Sequence, residues 1–268
     1  MLKLLSIPLA VFGYTILSMG FVFQKKGISW IGYQGEKNRI YYRNLFIWIV
    51  GFLLMNLNIV PNAMALKHLD PHIVAAMAGW GIIVMVFLSA YLLKEQIQRS
   101  DIIFTSIIVL SIIVLNLFEI TETEESIARP YLLAAIILPF IILVPAVLKF
   151  FSRTTRAILF AIVTGMCTGM IIVTVKVLVS ELGFDVAGYF SSPLLYLYLL
   201  FSLTGFVTLQ AAYKLGAMML VGPIQYSTAI LYPVVCSYGV FGKQLHPLQV
   251  GTIVVIVMAV VGMLRNRS

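Results

Sequence analysis

Polar side chains inside long apolar runs are the residues of this chain whose types and spacing could bind a solute. The segment "MNLNIVPNAM" (55–64) places Asn58 and Asn62 four residues apart, on one face of a helix, with Pro61 between them. Pro61 has no backbone N–H, so it frees the carbonyl of Leu57. Amides and freed carbonyls cost free energy in lipid unless they face protein or water. We therefore predict that Asn58 and Asn62 bind a solute and that Pro61 is a hinge.

A second group of polar side chains and prolines lies in "GPIQYSTAILYPVVCS" (222–237) and in the apolar run before it. Pro233 frees the carbonyl of Ala229, as Pro61 does for Leu57 earlier in the chain. We predict that Pro223 and Pro233 are hinges or carbonyl donors. Such residues also occur as helix kinks and as contacts between helices, and this alternative stays open for each of them singly. The predicted solute ligands of this group are Gln210, Gln225, Tyr226 and Tyr232.

Lys176 is the charged residue that bears most directly on the solute. A lysine near a helix end commonly extends to the lipid headgroups, and that alternative stays open. In a cavity, Lys176 would bind an anionic group or balance an internal charge, so we include it among the predicted solute ligands. No Asp or Glu lies deep within a predicted membrane span, so a dehydrated metal ion would have to bind carbonyls and amides. We predict no protein metal site, no cofactor and, because no catalytic motif is present, no enzyme activity.

The composition indicates which solvent surrounds these residues. Hydrophobic residues make up 61% of the 268, charged residues 10%, and the mean hydropathy is +1.04. A hydrocarbon core of roughly 30 Å needs about 20 helical residues, and the apolar runs reach or approach that length. We predict an all-α, polytopic membrane helix bundle of about nine transmembrane helices in a single domain, residues 1–268. The predicted spans are 3–23, 45–66, 72–93, 101–118, 131–148, 157–179, 193–213, 218–241 and 247–264.

Basic residues lie mainly on one side of this predicted bundle, and the acidic segment "EITETEES" (119–126) lies on the other. The positive-inside rule then places the C-terminus in the cytoplasm and the N-terminus outside. As a separate prediction, we take the membrane to be the cell (plasma) membrane. This asymmetry accounts for much of the net charge of +8, so we predict no nucleic-acid partner. The basic residues on the predicted cytoplasmic side are Lys25, Lys26, Lys37, Arg39, Arg43, Lys94, Arg99, Lys149, Arg153, Arg156, Lys214, Arg265 and Arg267.

Two apolar runs end in similar short sequences, "AYLLKEQI" (90–97) and "YGVFGKQL" (238–245). A shift of 148 residues aligns them without a gap, and it also pairs Asn62 with Gln210. An odd number of spans separates equivalent points, so the second copy would cross the membrane in the opposite direction. We therefore predict an inverted repeat, which supplies two packings open to either side of a membrane. Its parts are a first repeat of four spans (1–118), a connecting span (131–148) and a second repeat of four spans (157–265).

Three segments resemble the drug/metabolite transporter superfamily (EamA-like): "MGFVFQKKG" (19–27), "NAMALKHLDPHIVAAMAGWGIIVMVFLSAYLLKEQI" (62–97) and "GPIQYSTAILYPVVCSYGVFGKQL" (222–245). Within it, the order of the motifs is most similar to that of the NIPA-type magnesium transporters. That group has a Lys-Lys-Gly-like turn after the first span, an Asn in the second, a third span ending in "SSYFL-x-E" and a late Thr-Pro-Ile-Tyr-Tyr-like segment. The corresponding positions here are Lys25–Gly27, Asn62, Ser89–Glu95 and Gly222–Tyr226.

This chain departs from the family pattern at a position that bears on which solute is transported. The magnesium branch has a Gly-Glu pair shortly before that Asn, where this chain has Asn58 and Ile59. Without the carboxylate, a bound magnesium ion would have to keep most of its water. The resemblance implies a secondary transporter, and we predict that it moves a small polar or anionic solute by alternating access. The alternatives are a NIPA-type magnesium transporter and a non-transporting membrane scaffold or subunit. The predicted partners are the small-molecule or ion substrate and the lipid bilayer, and a homodimer stays open.

Overall fold

The computed structural model describes residues 2–31, 33, 38–66, 77–117, 129–148, 151–182, 186–241 and 246–267. Every regular element in these ranges is a helix, which confirms the predicted all-α class. A short 3-10 helix, Ile28–Trp30, follows the first α-helix. The α-helices are α1 (Leu2–Gly27), α2 (Arg39–Leu57), α3 (Ile59–Leu66), α4 (Ala78–Leu93), α5 (Arg99–Leu117), α6 (Arg129–Val147), α7 (Arg153–Leu182), α8 (Val186–Ser191), α9 (Pro193–Leu215), α10 (Met218–Phe241) and α11 (Pro247–Arg267).

Five of these helical stretches are long and apolar enough to cross a membrane, so the chain is an integral membrane protein. Three shorter apolar helices accompany them, and the count of nine spans stays a prediction. The five long stretches are Ser6–Trp30, Arg39–Asn62, Arg153–Thr174, Pro193–Leu215 and Met218–Cys236. The shorter ones are Ala78–Leu93, Tyr131–Val147 and Pro247–Met263.

The second predicted span, 45–66, differs from the structure at its start and in its middle. Helix α2 begins at Arg39 because Asn38 caps it: the Asn38 side chain accepts hydrogen bonds from the backbone N–H groups of Ile40 and Tyr41, both at 3.1 Å. The helix is then interrupted at Asn58 and continues as α3. The start of the third predicted span, at 72, lies outside the described residues.

Clustering of contacts divides the chain into two compact units, each described here by itself. Neither unit is a continuous half of the sequence. Unit 1 comprises residues 1–119, 216–223 and 247–268, and unit 2 comprises 120–215 and 224–246. Helix α10 therefore contributes residues to both units, and the division falls after Pro223.

In unit 1, α1 packs against α2, α3 and α4. Gly20 and Gly51 make the contact between α1 and α2 unusually close. A Cβ at Gly20 would lie 2.6 Å from the backbone nitrogen of Met55, and a Cβ at Gly51 would lie 2.5 Å from that of Gln24. Membrane helices associate through such small residues because the helix backbones can then approach closely.

Helices α5 and α11 form an antiparallel pair, also in unit 1. The Gln249 side chain, near the start of α11, donates a hydrogen bond to the Leu115 carbonyl near the end of α5, at 3.4 Å. At the other end of the pair, Gly262 lies against the ring of Phe104, since an added Cβ would be 2.5 Å from it. Apolar packing between buried side chains such as Ile108 and Ile256 holds the pair, and the hydrogen bond from Gln249 adds to it near one end.

In unit 2, α7 packs against α6 and α9, and it also contacts α10. Gly165 allows this last approach: a Cβ there would lie 2.5 Å from Thr228 Cβ and 2.6 Å from the Gln225 carbonyl oxygen. Around these contacts lies an apolar core that includes Met170, Phe201 and Cys236.

Two arginines at the start of α7 bind the ends of neighbouring helices in unit 2. Arg153 donates to the carbonyls of Lys214 and Leu215 at 3.1 and 3.2 Å, and Arg156 donates to the Ala146 carbonyl at 2.9 Å. The last carbonyls of a helix have no partner within the helix, and they carry partial negative charge. The arginines therefore fix the C-terminal ends of α9 and α6 to the start of α7.

Candidate functional site

The interruption between α2 and α3 positions the first pair of predicted solute ligands. Asn58 is the C-cap residue that follows α2, with φ −57° and ψ −24°. Pro61 is buried and has no N–H to offer the Leu57 carbonyl, so the helical hydrogen-bond ladder fails here. It resumes where the Asn62 N–H donates to the Asn58 carbonyl at 3.2 Å. The freed carbonyl predicted from the sequence thus coincides with an interrupted helix.

The side chains of Asn58 and Asn62 form a chain of hydrogen bonds across this interruption. Asn62 Nδ2 donates to Asn58 Oδ1 at 3.0 Å, and Asn58 Nδ2 donates to the Met55 carbonyl. The two donors fix the direction of both amides, so the chain ends in Asn62 Oδ1. This oxygen is buried, and no described residue donates a hydrogen bond to it. The site therefore presents a hydrogen-bond acceptor.

Helix α1 covers this acceptor with a glycine. A Cβ added to Gly13 would lie 2.4 Å from Asn62 Oδ1, so a larger residue would have to displace the amide. Further along α1, Ser18 donates to the Gly81 carbonyl at 2.7 Å, and Thr15 accepts from Trp80 Nε1 at 3.0 Å. These two hydroxyls form hydrogen bonds with α4, whereas Asn62 Oδ1 accepts none from the described residues. Gly13 could not be predicted from the sequence, because its role depends on which helix lies beside Asn62.

Unit 2 contains a second buried amide of the same kind. Gln225 is 5% exposed in α10, and its Oε1 receives no hydrogen bond from the described residues. The neighbouring Tyr226 and, on α9, Gln210 are also buried. Two residues before Gln210 on α9, Thr208 has its hydroxyl oxygen 2.9 Å from that of Thr164 on α7. Neither threonine was predicted, since a threonine in an apolar helix commonly bonds its own backbone.

Tyr232 makes a contact between helices. Its hydroxyl donates to the Ala135 carbonyl of α6 at 2.6 Å. It also lines a cavity of about 380 Å³ whose other walls are almost entirely apolar, among them Ile141 and Cys236. The hydroxyl hydrogen of Tyr232 is therefore already used, and solute binding by this residue stays a prediction.

The structure brings Asn58 and Asn62 together in unit 1. The other predicted ligands belong to unit 2, where Lys176 lies in α7 with its side chain outside the described part of the chain. Of the predicted hinges, Pro61 lies at the interruption, and Pro223 lies where the chain passes from one unit to the other. Pro233 packs against Gly169, where a Cβ would lie 2.7 Å from the proline ring.

No family model, curated protein or solved structure matches the chain. The resemblance to the drug/metabolite transporters therefore stays a prediction. Within the described residues, no group of three or more His, Cys, Asp or Glu side chains could hold a metal ion. A cation bound there would have to use amide and carbonyl oxygens or keep its own water.

Proposed function

We propose that the chain is an integral membrane secondary transporter of the drug/metabolite type that moves a small polar solute by alternating access. The observation that carries this proposal is the pair of buried amide oxygens, Asn62 Oδ1 and Gln225 Oε1, that receive no hydrogen bond from the described residues. Each unmade hydrogen bond costs about 1–3 kcal/mol. Polar groups retained at such a cost within membrane helices commonly mark a solute path.

The chemistry of these oxygens favours one kind of solute. Both are acceptors, so they would bind hydroxyl, amino or amide hydrogens, and they would repel an anionic group. A solute rich in hydrogen-bond donors fits each of these two oxygens best, taken separately in its own unit. An anionic group on the same solute would need a cation, and Lys176 is the residue that we assign to it.

The packing of α5 against α11 supports the inverted repeat on which alternating access depends. The contact between Gln249 and Leu115 sets an antiparallel register in which Ile108 lies opposite Ile256, and these two positions are 148 residues apart. Both isoleucines are fully buried. A twofold axis in the membrane plane would relate two helices in this way.

The packing within each unit gives further support. The shift of 148 residues relates α1 to α7 and α2 to α9. Helix α1 packs against α2 in unit 1, and α7 packs against α9 in unit 2. Equivalent helices thus have equivalent neighbours, as two copies of one repeat would.

Magnesium transport and a non-transporting scaffold or subunit are the competing functions. Magnesium would cross largely hydrated, because the described residues offer no carboxylate cluster. In a scaffold, the amides would serve only to hold helices together. We also propose that the protein lies in the cell membrane with its C-terminus in the cytoplasm. Whether it forms a homodimer stays open.

The test is flux into proteoliposomes. The probes are radiolabelled serine, sorbitol, choline and malate, with a trapped magnesium-sensitive dye in parallel. Asn62→Leu and Gln225→Leu remove the two acceptors, and Asn56→Leu is the matched control. Asn56 is exposed on α2, and its side chain donates to the Phe52 carbonyl of its own helix at 2.7 Å.

We expect uptake of serine, sorbitol or choline that falls at least tenfold in Asn62→Leu and Gln225→Leu and persists in Asn56→Leu. Gln225→Leu should keep its melting temperature, because leucine removes an unsatisfied oxygen. Asn62→Leu should lower the melting temperature slightly, because it also removes the donor to Asn58 Oδ1. A dye response lost in Asn62→Leu would favour magnesium instead. Absence of all flux, together with lower melting temperatures in both variants, would favour the scaffold.

A further inference from the structure

The start of α10 is capped by a residue that is remote in sequence. Ala217 occupies the cap position, as its carbonyl accepts from the Leu220 and Val221 N–H groups at 3.2 and 3.0 Å. Its methyl side chain cannot accept a hydrogen bond, so the first N–H groups of the helix need another partner. Glu95 supplies it: Oε1 lies 2.7 Å from the Met218 nitrogen and Oε2 lies 3.0 Å from the Met219 nitrogen.

The end of α4 directs Glu95 to this place. Lys94 adopts the left-handed conformation, with φ 56° and ψ 33°, and its N–H donates to the Ser89 carbonyl. The Glu95 N–H donates to the same carbonyl at 3.4 Å. A lysine in this conformation is disfavoured by about 1–2 kcal/mol relative to the right-handed one. The turn that delivers Glu95 is thus kept in spite of a local cost.

A second charge holds the segment just before the helix. Lys25, in the last turn of α1, donates from Nζ to the Gly216 carbonyl at 2.5 Å. Glu95 places a negative charge at the positive end of the α10 dipole, and Lys25 places a positive charge on a carbonyl. We call this set the α10 clamp: Lys25, Glu95, Gly216, Met218 and Met219, all of which belong to unit 1.

A weak point in α10 follows directly after the clamped turn. Gly222 approaches α4 so closely that a Cβ would lie 2.1 Å from Met85 Cε. Pro223 has no N–H for the Met219 carbonyl and lies at the boundary of the two units. The turn from Met218 to Gly222 is therefore joined to the rest of α10 by an incomplete hydrogen-bond ladder.

We propose that the α10 clamp is a latch, which holds the turn 218–222 on α4 and, when released, lets it swing at Gly222–Pro223. Glu95 is the positioning residue of this latch, and Lys25 supports it. The inference goes beyond transport, because it depends on no solute and holds for a scaffold as well. The carboxylate acts by docking the turn, and the Lys-Glu-Gln sequence that follows α4 (94–96) acquires a mechanical role.

The test measures how often the turn is released. Met218 is fully buried, so a cysteine at this position reacts with a membrane-impermeant maleimide only when the turn is undocked. The native Cys167 and Cys236 are buried, and the parent protein without Met218→Cys gives the blank. The variants in the Met218→Cys protein are Glu95→Gln and, as the matched control on the same turn, Lys94→Gln. Folding is checked by melting temperature and by gel filtration.

We expect Glu95→Gln to raise the labelling rate roughly tenfold or more, because a hydrogen bond to a charged group shifts an equilibrium by about that factor. Lys94→Gln should leave the rate unchanged. An unchanged rate in folded Glu95→Gln protein would overturn the latch. If that variant does not fold, Lys25→Met is tested in the Met218→Cys protein instead. Faster labelling of this variant supports the latch, and an unchanged labelling rate overturns it.

A rescue variant separates a latch from an ordinary helix cap. Ala217→Asp provides α10 with its own cap, which should restore helix stability in Glu95→Gln protein. The latch predicts that labelling stays fast in this double variant, because the turn is capped but no longer docked on α4. Slow labelling in the double variant would show that Glu95 serves only as a cap, and it would overturn the proposal.

Discussion

At the scale of single residues, the buried amides differ from a buried hydroxyl in how they can be satisfied. The Thr164 hydroxyl rotates to donate to the Phe160 carbonyl of its own helix, at 2.8 Å. An amide oxygen can only accept, and the N–H groups of a helix interior are already used by the helix itself. Asn62 Oδ1 and Gln225 Oε1 therefore need a donor from elsewhere. This asymmetry is the reason that amides inside membrane helices carry more information about function than threonines do.

Gly13→Ala tests the packing around Asn62. The added methyl would lie 2.4 Å from Asn62 Oδ1, so either the amide or helix α1 must move. We expect a loss of about 1–3 kcal/mol in the free energy of unfolding, as for other overpacked sites. The measurement is reversible unfolding in mixed micelles or bicelles.

Gly251→Ala is the control for this prediction, because a Cβ there would meet nothing within 4 Å. Alanine is the better helix former, so this variant should gain about 0.5–1 kcal/mol. Equal effects of the two substitutions would contradict the close contact between Gly13 and Asn62.

At the scale of elements, the α5–α11 pair offers a test of the repeat. Ile108→Ala and Ile256→Ala remove equivalent side chains from one interface, and each should cost about 2–5 kcal/mol. The two costs should agree within about 1 kcal/mol, and the double variant should cost less than their sum because the cavities are shared. The costs of the two single variants and of the double variant are all measured as changes in the free energy of unfolding. Val257→Ala, at a residue 49% exposed, is the control and should have little effect.

The elements also show what a single sequence can predict. The prediction of helices followed from apolar runs of membrane length, and the interruption at Asn58 followed from the missing N–H of Pro61. The start of α2 was missed because the predicted span followed hydropathy, whereas Asn38 starts the helix by capping it. The sequence places Glu95 in the segment 90–97 that resembles 238–245 and in the Ser89–Glu95 family motif, but predicts no contact for it. Its bond to Met218 joins positions 123 residues apart, and local patterns carry no information on such pairs.

At the scale of the whole molecule, orientation in the membrane is the property that the sequence predicts and that a direct measurement can check. A reporter active only in the cytoplasm, fused after Ser268, should be active, and one active only outside should be silent. The reverse result would contradict the positive-inside assignment. Fusion after Glu119 is the internal control, since this position is predicted to lie on the opposite side.

The arginines at the start of α7 have a consequence for how this protein can evolve. Arg153 and Arg156 belong to the basic residues that are predicted to orient the chain during insertion, and in the folded protein they hold the carbonyl ends of α9 and α6. A mutation that removes either charge weakens the insertion signal and frees a helix end at the same time. Selection for a stable fold would therefore also preserve the predicted orientation.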